Sequence, residues 1–507
     1  MRILLTFCLF FFASSLQVQA QTLESFYQFE GTLIEVVAEN GHPIEGAKVL
    51  IGFAKDDPFE GNIFITNPEG IIQIPSLWKT PLPVTVQANG YLTTTFSEAL
   101  PLGRTLILQE ADQKTAYELN GNVTGFGNLR KDGKVDVGFV MPSFSRRELL
   151  AFDISSVISP ETDTIQILNR EVKIPSNISL PRQTETYIFP ITLNKPSYRI
   201  FSRKQGVQDF IAGHAQFPLK RVVDKIRGGQ SILDVINDIS FLGGGQIRVD
   251  MSSQSSTRDI PVDTFKYTDS LTLPAPQIPQ GKVVFSMAVT ENQGRLFPTD
   301  LKYVETNKNI QLVTMASNDQ KYIASLLGNK PEETAKNQWS RIDFINTPQF
   351  ESPLSLFGFS KDQDSLIPWF KNTNLTQMSI TLQKYTSGIG APDFLPLVDA
   401  PVLNDGFISL TPPPANSSII PLGTMVVFSE IETIPQGQYS SEKRTRLWEI
   451  FSPDWTNRVN VPELNFRLSN EITHRWEVIY LGKKVGSSDS EGLDAVTHIT
   501  RNSISIQ

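Results

Sequence analysis

The sequence predicts a mainly β fold, made of serial antiparallel β-sandwich domains with one helical hairpin inserted. Short runs of β-branched and aromatic residues recur along the chain, separated by turn sequences such as Asn-Gly and Asp-Gly. The 507 residues include 33 prolines and 32 glycines, whereas charged residues make up only 19%. This composition is typical of many short strands joined by turns. Apolar residues follow a convincing helical spacing in one region, near residue 218.

Residues 1–20 match a secretory signal peptide. Arg2 supplies the positive start, residues 3–13 are mostly apolar, and a Val-Gln-Ala sequence ending at Ala20 forms a small-residue cleavage site. The apolar run is shorter than the roughly 20 residues that a spanning helix needs, and no later segment reaches that length. We therefore expect an exported protein without a transmembrane segment.

The chain has a single cysteine, Cys8, which lies inside this signal. The mature chain therefore lacks a thiol for disulfides, metal binding or lipid attachment. An exported protein of this size without disulfides is more typical of a Gram-negative periplasm or envelope than of disulfide-rich animal secretions. We expect it in the periplasm, at the cell surface or outside the cell.

The first module is predicted over residues 21–112. Gly41 and Gly46 can adopt the positive φ angles of tight turns, and Pro43 presets φ between them, which predicts a chain reversal between two β-branched runs. Further turns are predicted at residues 67–70 and at Asn89-Gly90. The strand-rich sequence LIL, ending at residue 108, closes the unit.

This order of sequences, with PIEGAKV, TNPEG, VTVQANGY and the final LIL, resembles the carboxypeptidase regulatory-like family. That family is a prealbumin-like β-sandwich of about seven strands, grouped by fold with carbohydrate-binding sandwiches. The resemblance covers residues 31–108, and Asn67 stands where the family has Asp in its turn. It implies a non-catalytic appendage of the kind found in secreted and envelope proteins.

A second β domain is predicted over residues 113–270, with strands restarting at Tyr117. Inside it, apolar residues of 219–226 recur at helical spacing from Pro218 and predict a first helix. A second helix is predicted from Ser231 until the three glycines at 243–245 stop it. The first helix has a basic side, formed by Lys220, Arg221, Lys225 and Arg227. That side is either an anionic docking surface or simply the solvated face.

The remaining chain is predicted to be a Pro-rich linker at 271–281, followed by one or two further β-sandwiches over 282–507. A short helix is predicted around 318–327. Trp448 and Trp476 occur in matching sequences, RLWEIF and HRWEVI, in which the Trp and the aliphatic residue two positions later share one face of a strand. Each Trp either stacks on a sugar ring or belongs to a sandwich core.

The spacing of one histidine and one glutamate suggests a zinc site. His42 and Glu45 have the H-x-x-E spacing of zinc carboxypeptidases, and His214 is a conceivable third ligand. The competing interpretation is that His42 and Glu45 belong to the first turn of the N-terminal module. We favour the turn, because a metal site needs ligands that converge from rigid positions.

Calcium could bind the acidic groups in two loops, but neither loop has the alternation and closing Glu of an EF-hand. These groups are Asp56-Asp57 with Glu60, and Asp362 with Asp364. Solvated loop acids are the alternative that we favour. No nucleophile elbow, phosphate-binding loop or dinucleotide fingerprint occurs, although a two-carboxylate glycosidase site would leave no linear motif.

The sequence therefore predicts an exported, non-catalytic envelope or surface protein that acts by binding or structural interaction, with no cofactor, metal or catalytic residue assigned. Its partner is expected in the envelope or at the surface, a glycan being one option. The formal net charge of −8 argues against nucleic acid. The alternatives are a carbohydrate-binding or carbohydrate-processing protein and, more remotely, a zinc carboxypeptidase.

Overall fold

The computed structural model describes most of the chain from residue 26 to residue 506. The described ranges are 26–29, 32–39, 41–53, 62–111, 117–125, 134–143, 161–167, 170–180, 184–190, 197–202, 205–218, 221, 225, 232–292, 295–317, 319–330, 343–346, 355–359, 377–436, 439–462, 473–487 and 495–506. The signal sequence and the acidic loops at 56–60 and 362–364 lie outside them. Among the described residues, no helix has the length and apolarity needed to cross a bilayer.

Eight strands lie in the described part of the N-terminal segment. They are β1 (Phe26–Phe29), β2 (Leu33–Ala38), β3 (Lys48–Ile51), β4 (Ile63–Ile65), β5 (Ile71–Gln73), β6 (Leu82–Gln87), β7 (Thr93–Ala99) and β8 (Gly103–Leu108).

The described residues of the middle segment form eighteen strands and one 3-10 helix, Ile232–Asp238. The strands are β9 (Tyr117–Thr124), β10 (Val135–Pro142), β11 (Glu161–Ile167), β12 (Arg170–Leu180), β13 (Thr184–Pro190), β14 (Ser197–Ser202), β15 (Val207–Phe217), β16 (Ser240–Asp250), β17 (Ser255–Thr257), β18 (Ile260–Pro261), β19 (Phe265–Leu273), β20 (Lys282–Asn292), β21 (Arg295–Val304), β22 (Ile310–Met315), β23 (Gln320–Asn329), β24 (Asp343–Asn346), β25 (Ser355–Phe359) and β26 (Met378–Lys384).

In the C-terminal segment, the residues that the structure describes form seven strands. They are β27 (Val402–Asn404), β28 (Phe407–Ser409), β29 (Ile419–Gln436), β30 (Tyr439–Ser452), β31 (Arg458–Asn460), β32 (Thr473–Lys484) and β33 (His498–Ile506). The fold is therefore mainly β with several sheets, which confirms the predicted class.

The chain forms two compact units. Unit 1 combines residues 1–112 with residues 398–507, and unit 2 comprises residues 113–397. The division at 112 coincides with the predicted end of the N-terminal module. The Pro-rich segment 271–281 lies inside unit 2, and its first three residues complete β19, so it does not separate the two units.

Unit 1 is organised around eight strands in the order β33-β32-β29-β30-β7-β6-β3-β4, faced by the four-stranded sheet β1-β8-β2-β5. The N-terminal segment forms a sandwich because alternate residues of both sheets are apolar and point inward. Its core includes Ile34, Val36, Val84, Phe96 and Leu106, all nearly inaccessible to solvent.

The two ends of the chain meet where the strands of unit 1 pair. Strand β30 pairs in parallel with β7, with Trp448 opposite Thr93 and Phe451 opposite Phe96. The indole N–H of Trp448 donates to the Thr95 hydroxyl at 2.8 Å. The C-terminal segment therefore extends the sheet that the N-terminal segment begins.

The predicted turn at 67–70 is confirmed, and it shows why a glycine is needed. Gly70 has φ = 74°, and its N–H donates to Asn67 O at 2.8 Å. A Cβ atom at Gly70 would lie 2.5 Å from Val36 O, so both the conformation and the close approach require glycine. The predicted turns at Gly41, Gly46 and Gly90 also have positive φ angles.

Unit 2 contains two described cores. One packs between strands of the sheet β17-β9-β14-β13-β10-β15-β16-β19-β22 and includes Leu119, Val140 and Phe210. The other packs β19 and β22 against β20 and β23 and includes Leu273 and Ile323. Asn120 and Gly121 lie within β9.

The residues that the structure describes do not show the predicted helical hairpin. Its second helix is a 3-10 helix that ends at Asp238, and the glycines at 243–245 lie inside β16, where they pair with β15. These glycines permit close backbone approach: a Cβ atom on Gly245 would lie 1.7 Å from Pro261 O. Most of the first predicted helix, including Lys220 and Arg227, lies outside the described residues; Arg221 and Lys225 are helical.

The helix predicted around 318–327 is also wrong, because this segment is the strand β23 (Gln320–Asn329). Seven consecutive residues of β23 are buried, which means that both faces of the strand are covered. An apolar run covered on both sides has no period of two, so its sequence cannot be told apart from a buried helix.

Candidate functional site

The structure does not bring the predicted zinc ligands together within one unit. His42 and Glu45 are exposed residues of the turn between β2 and β3 in unit 1, and His42 O accepts a hydrogen bond from Ala38 N at 2.8 Å. His214 belongs to β15 of unit 2, where its Nε2 lies 3.3 Å from Asp136 Oδ1. Among the residues that the structure describes, no three His, Cys, Asp or Glu side chains are grouped as metal ligands.

The two tryptophans are core residues. Trp448 is 3% exposed and Trp476 is 9% exposed, and their rings meet edge to face at 6.1 Å. Phe428 lies 4.5 Å from Trp476. The shared face predicted for each Trp and its aliphatic neighbour is confirmed, because Ile450 joins the same core. The alternative interpretation, that these rings stack on a sugar, is therefore wrong.

The same two sequences place a buried glutamate on the opposite sheet face, which the sequence analysis missed. Glu449 and Glu477 directly follow the tryptophans and both lie opposite Val427 in the strand register. Arg446 lies 2.8 Å from Glu449, and Arg501 lies 3.5 Å from Glu477. The repeated Trp-Glu pair is the sequence feature from which these two buried glutamates could have been predicted.

These buried ion pairs suit a bracing role. Each carboxylate has an arginine within ion-pair distance, and removing one member of a buried pair leaves a charge without compensation, at a cost of about 3–5 kcal/mol.

Arg104 in the N-terminal sandwich is also a buried charge with a bracing role, and its partners are an aromatic ring and main-chain carbonyls. It stacks over Trp78 at 5.6 Å and donates to Leu100 O and Leu102 O. Burial lowers the pKa of Arg104 to about 10, which leaves it charged at neutral pH.

Asp209 in unit 2 provides a pH-dependent contact. A hydrogen bond from Arg248 at 2.8 Å, aided by the charges of Arg248 and Arg295, holds the pKa of Asp209 below its usual value. A carboxyl whose pKa is lower in the folded state stabilises that state above its unfolded pKa of about 3.9 and ceases to do so as pH falls through the folded value.

We therefore expect Asp209→Asn to lower the thermal midpoint of unfolding at pH 7, and this difference from the wild type to shrink as pH falls from about 4 towards the folded pKa. Thermal melts of both proteins from pH 7 down to pH 3 measure it. Asp405→Asn, in an exposed turn, is the matched control and should follow the wild type throughout. A difference that stayed constant across this range would contradict the role assigned to the charge.

The opening in the N-terminal sandwich lies where both of its sheets end. Strand β4 is the last strand of one sheet and β5 is the last strand of the other. Between them runs an open groove of about 600 Å³, lined by Phe64, Ile65 and residues 71–76. Ile63 is 41% exposed and Ile65 is 65% exposed. We call β4 with its outward-facing main chain the β4 edge.

The β4 edge presents hydrogen-bonding groups that no other described strand uses. Asn62 O accepts from Ile51 N of β3 at 3.4 Å, Thr66 N donates to Ala47 O just before β3 at 3.0 Å, and Phe64 lies opposite Val49. Because the bonding direction alternates along an antiparallel strand, the N–H and C=O groups of Ile63 and Ile65 point away from β3. Those groups can accept another strand.

Buried side chains hold both ends of β4 in place. Asn62 Nδ2 donates to Ile51 O at 2.6 Å. At the other end, the Thr66 hydroxyl donates to Ile44 O at 2.7 Å and accepts from Ala47 N at 2.8 Å. The edge is therefore pre-organised, which lowers the entropic cost of binding.

The neighbouring edge offers less. On β5, Ile71 N donates to Asn67 Oδ1 at 2.7 Å and Ile71 O accepts from Asn67 N. The Asn67 turn thus occupies the main-chain N–H and C=O of Ile71. This leaves the main-chain groups of Gln73 as the outward hydrogen-bonding groups of β5. Strand addition is therefore favoured at β4.

No family model matches this chain, and no curated protein matches it. Among solved structures, the major pilin subunit BcpA of Bacillus cereus is 10% identical, with 71% of this chain and 96% of that chain covered and a TM-score of 0.14. A streptococcal ancillary pilin is 11% identical, with 66% and 96% covered and a TM-score of 0.14. At these TM-scores, the similarities carry no argument about this chain.

Proposed function

We propose that this chain is an exported, non-catalytic protein of the cell envelope or surface, which acts by accepting an extended segment at the β4 edge. The observation that carries this proposal is the outward main chain of Ile63 and Ile65, flanked by two exposed isoleucine side chains and an apolar groove. Strand addition gives affinity through main-chain hydrogen bonds and specificity through alternate side chains.

Three further features support the proposal. Charged side chains and Pro are among the devices that protect natural edge strands, and the three residues of β4 include neither. In addition, the buried charges of unit 1 described above lie in pairs or stacks that brace strands. The resemblance of residues 31–108 to the carboxypeptidase regulatory-like family, with the signal sequence at 1–20, agrees with an exported binding module.

The proposal is tested by capture from envelope extract on the immobilised mature chain, compared with Ile65→Lys. Because residue 65 is mostly exposed, lysine leaves the fold intact while placing a charge on the β4 edge. We expect the partners captured by the wild type to fall at least tenfold with Ile65→Lys.

The matched control is Val485→Lys, at an apolar residue exposed in a turn far along the chain, and it should capture as the wild type does. Equal capture by all three proteins would contradict the β4 edge as the binding site. Hydrolase or peptidase activity of the purified mature chain would contradict the non-catalytic assignment.

A further inference from the structure

We infer that the β4 edge takes the β4 strand of a second copy of this chain, paired antiparallel about a two-fold axis at Phe64. The inference rests on the proposed function, since it names the occupant of the same edge. An isologous two-fold contact requires a surface that is complementary to itself, and the β4 edge meets this requirement in register, side chains and charge.

The register is self-complementary because the outward residues are spaced two apart. Antiparallel pairing that sets Ile63 opposite Ile65 of the second copy also sets Ile65 opposite Ile63 of the second copy. The two copies together then bring four outward N–H groups and four outward C=O groups to the junction. Each of the two residue pairs exchanges two hydrogen bonds there. A shift by one residue would place Phe64, which is bonded to β3, at the bonding position.

The side chains match as well. Residues directly opposite each other in antiparallel strands are side-chain neighbours, and β-branched pairs of this kind stabilise a sheet. The two exposed isoleucines of one copy therefore meet those of the other on the same sheet face. This contact would cover the apolar surface that Ile63 and Ile65 leave in solvent.

Charge favours self-pairing at this edge. Residues 62–68 contain no ionisable side chain, so two copies can approach without placing like charges opposite each other. By comparison, the outer strand β31 of the three-stranded sheet β27-β28-β31 carries Arg458, which two-fold pairing would bring close to its own copy. The cost of like charges directly opposite disfavours that edge.

The contact is short, so the dimer is expected to be reversible. Strand β4 has 3 residues, and interfaces below about 1,200 Å² are typical of weak or transient association. We expect a dissociation constant between about 1 µM and 1 mM.

Sedimentation velocity of the mature chain over that concentration range tests the inference. The wild type and Val485→Lys should shift from monomer to dimer with concentration, whereas Ile65→Lys should stay monomeric at every concentration. Circular dichroism verifies that the three proteins share one fold. A dimer that survives Ile65→Lys would overturn the inference.

Oxidation of variants with one introduced cysteine tests the register. No native cysteine of the mature chain interferes, since Cys8 lies in the signal. A mixture of Ile63→Cys and Ile65→Cys should form disulfide-linked dimers at least severalfold faster than either variant alone. Equal rates would overturn the two-fold register. If the wild type remains monomeric while Ile65→Lys still loses captured partners, the self-pairing inference fails and the proposed function stands; if capture is also unchanged, both fail.

Discussion

Gly245→Ala is expected to destabilise unit 2 by about 3 kcal/mol or more. An alanine Cβ at this position would lie 1.7 Å from Pro261 O and 2.8 Å from Pro261 C. Neither backbone can move aside easily, because β16 is paired with β15 and Pro261 is paired with β9. The clash involves backbone atoms, so a change of side-chain rotamer cannot relieve it.

Urea or thermal unfolding followed by circular dichroism measures the effect of Gly245→Ala. Gly388→Ala is the matched control, since a Cβ atom there meets no atom within 4 Å, and its effect should stay within about 0.5 kcal/mol. The same small loss of stability in both variants would contradict the close approach of β16 to Pro261.

Trp448→Ala is expected to destabilise unit 1 by about 3–5 kcal/mol. The substitution leaves a cavity beside Trp476 and Phe428 in the C-terminal core. It also removes the hydrogen bond to Thr95, and with it a contact between the two chain segments that form this unit.

The control Trp448→Phe separates packing from the hydrogen bond. It keeps an aromatic ring in the core but leaves the Thr95 hydroxyl without its indole donor, so we expect a smaller loss of about 1–2 kcal/mol. Limited proteolysis should show residues 26–111 cleaved faster in Trp448→Ala than in Trp448→Phe. An alanine variant as stable as the phenylalanine variant would contradict the core position of the ring.

Local features of the fold could be predicted from the sequence, because each depends on residues close together in the chain. Gly70 and Gly90 form the turns that their neighbours predict, and the alternation in RLWEIF correctly places Trp448 and Ile450 on one face. The prediction that the three glycines at 243–245 stop a helix is wrong, because glycines stop a helix as readily as they permit close strand packing. Only the partner backbone, at Pro261, distinguishes the two.

Long-range pairing could not be predicted in the same way. The parallel contact between β7 and β30 joins Thr93 to Trp448, and no local pattern records which distant strand completes a sheet. The same limit hides the candidate site. Ile63 and Ile65 resemble any short apolar strand until the strand order shows that β4 ends its sheet.

Amide hydrogen exchange over residues 62–66 tests the central claim most directly, because it locates binding instead of inferring it from a variant. The free mature chain at low concentration should exchange the Ile63 and Ile65 amides rapidly, since both point to solvent. Addition of the captured partner, or a rise in concentration if the chain pairs with itself, should slow their exchange by at least tenfold. Protection elsewhere on the chain with unchanged exchange at these two amides would contradict the account.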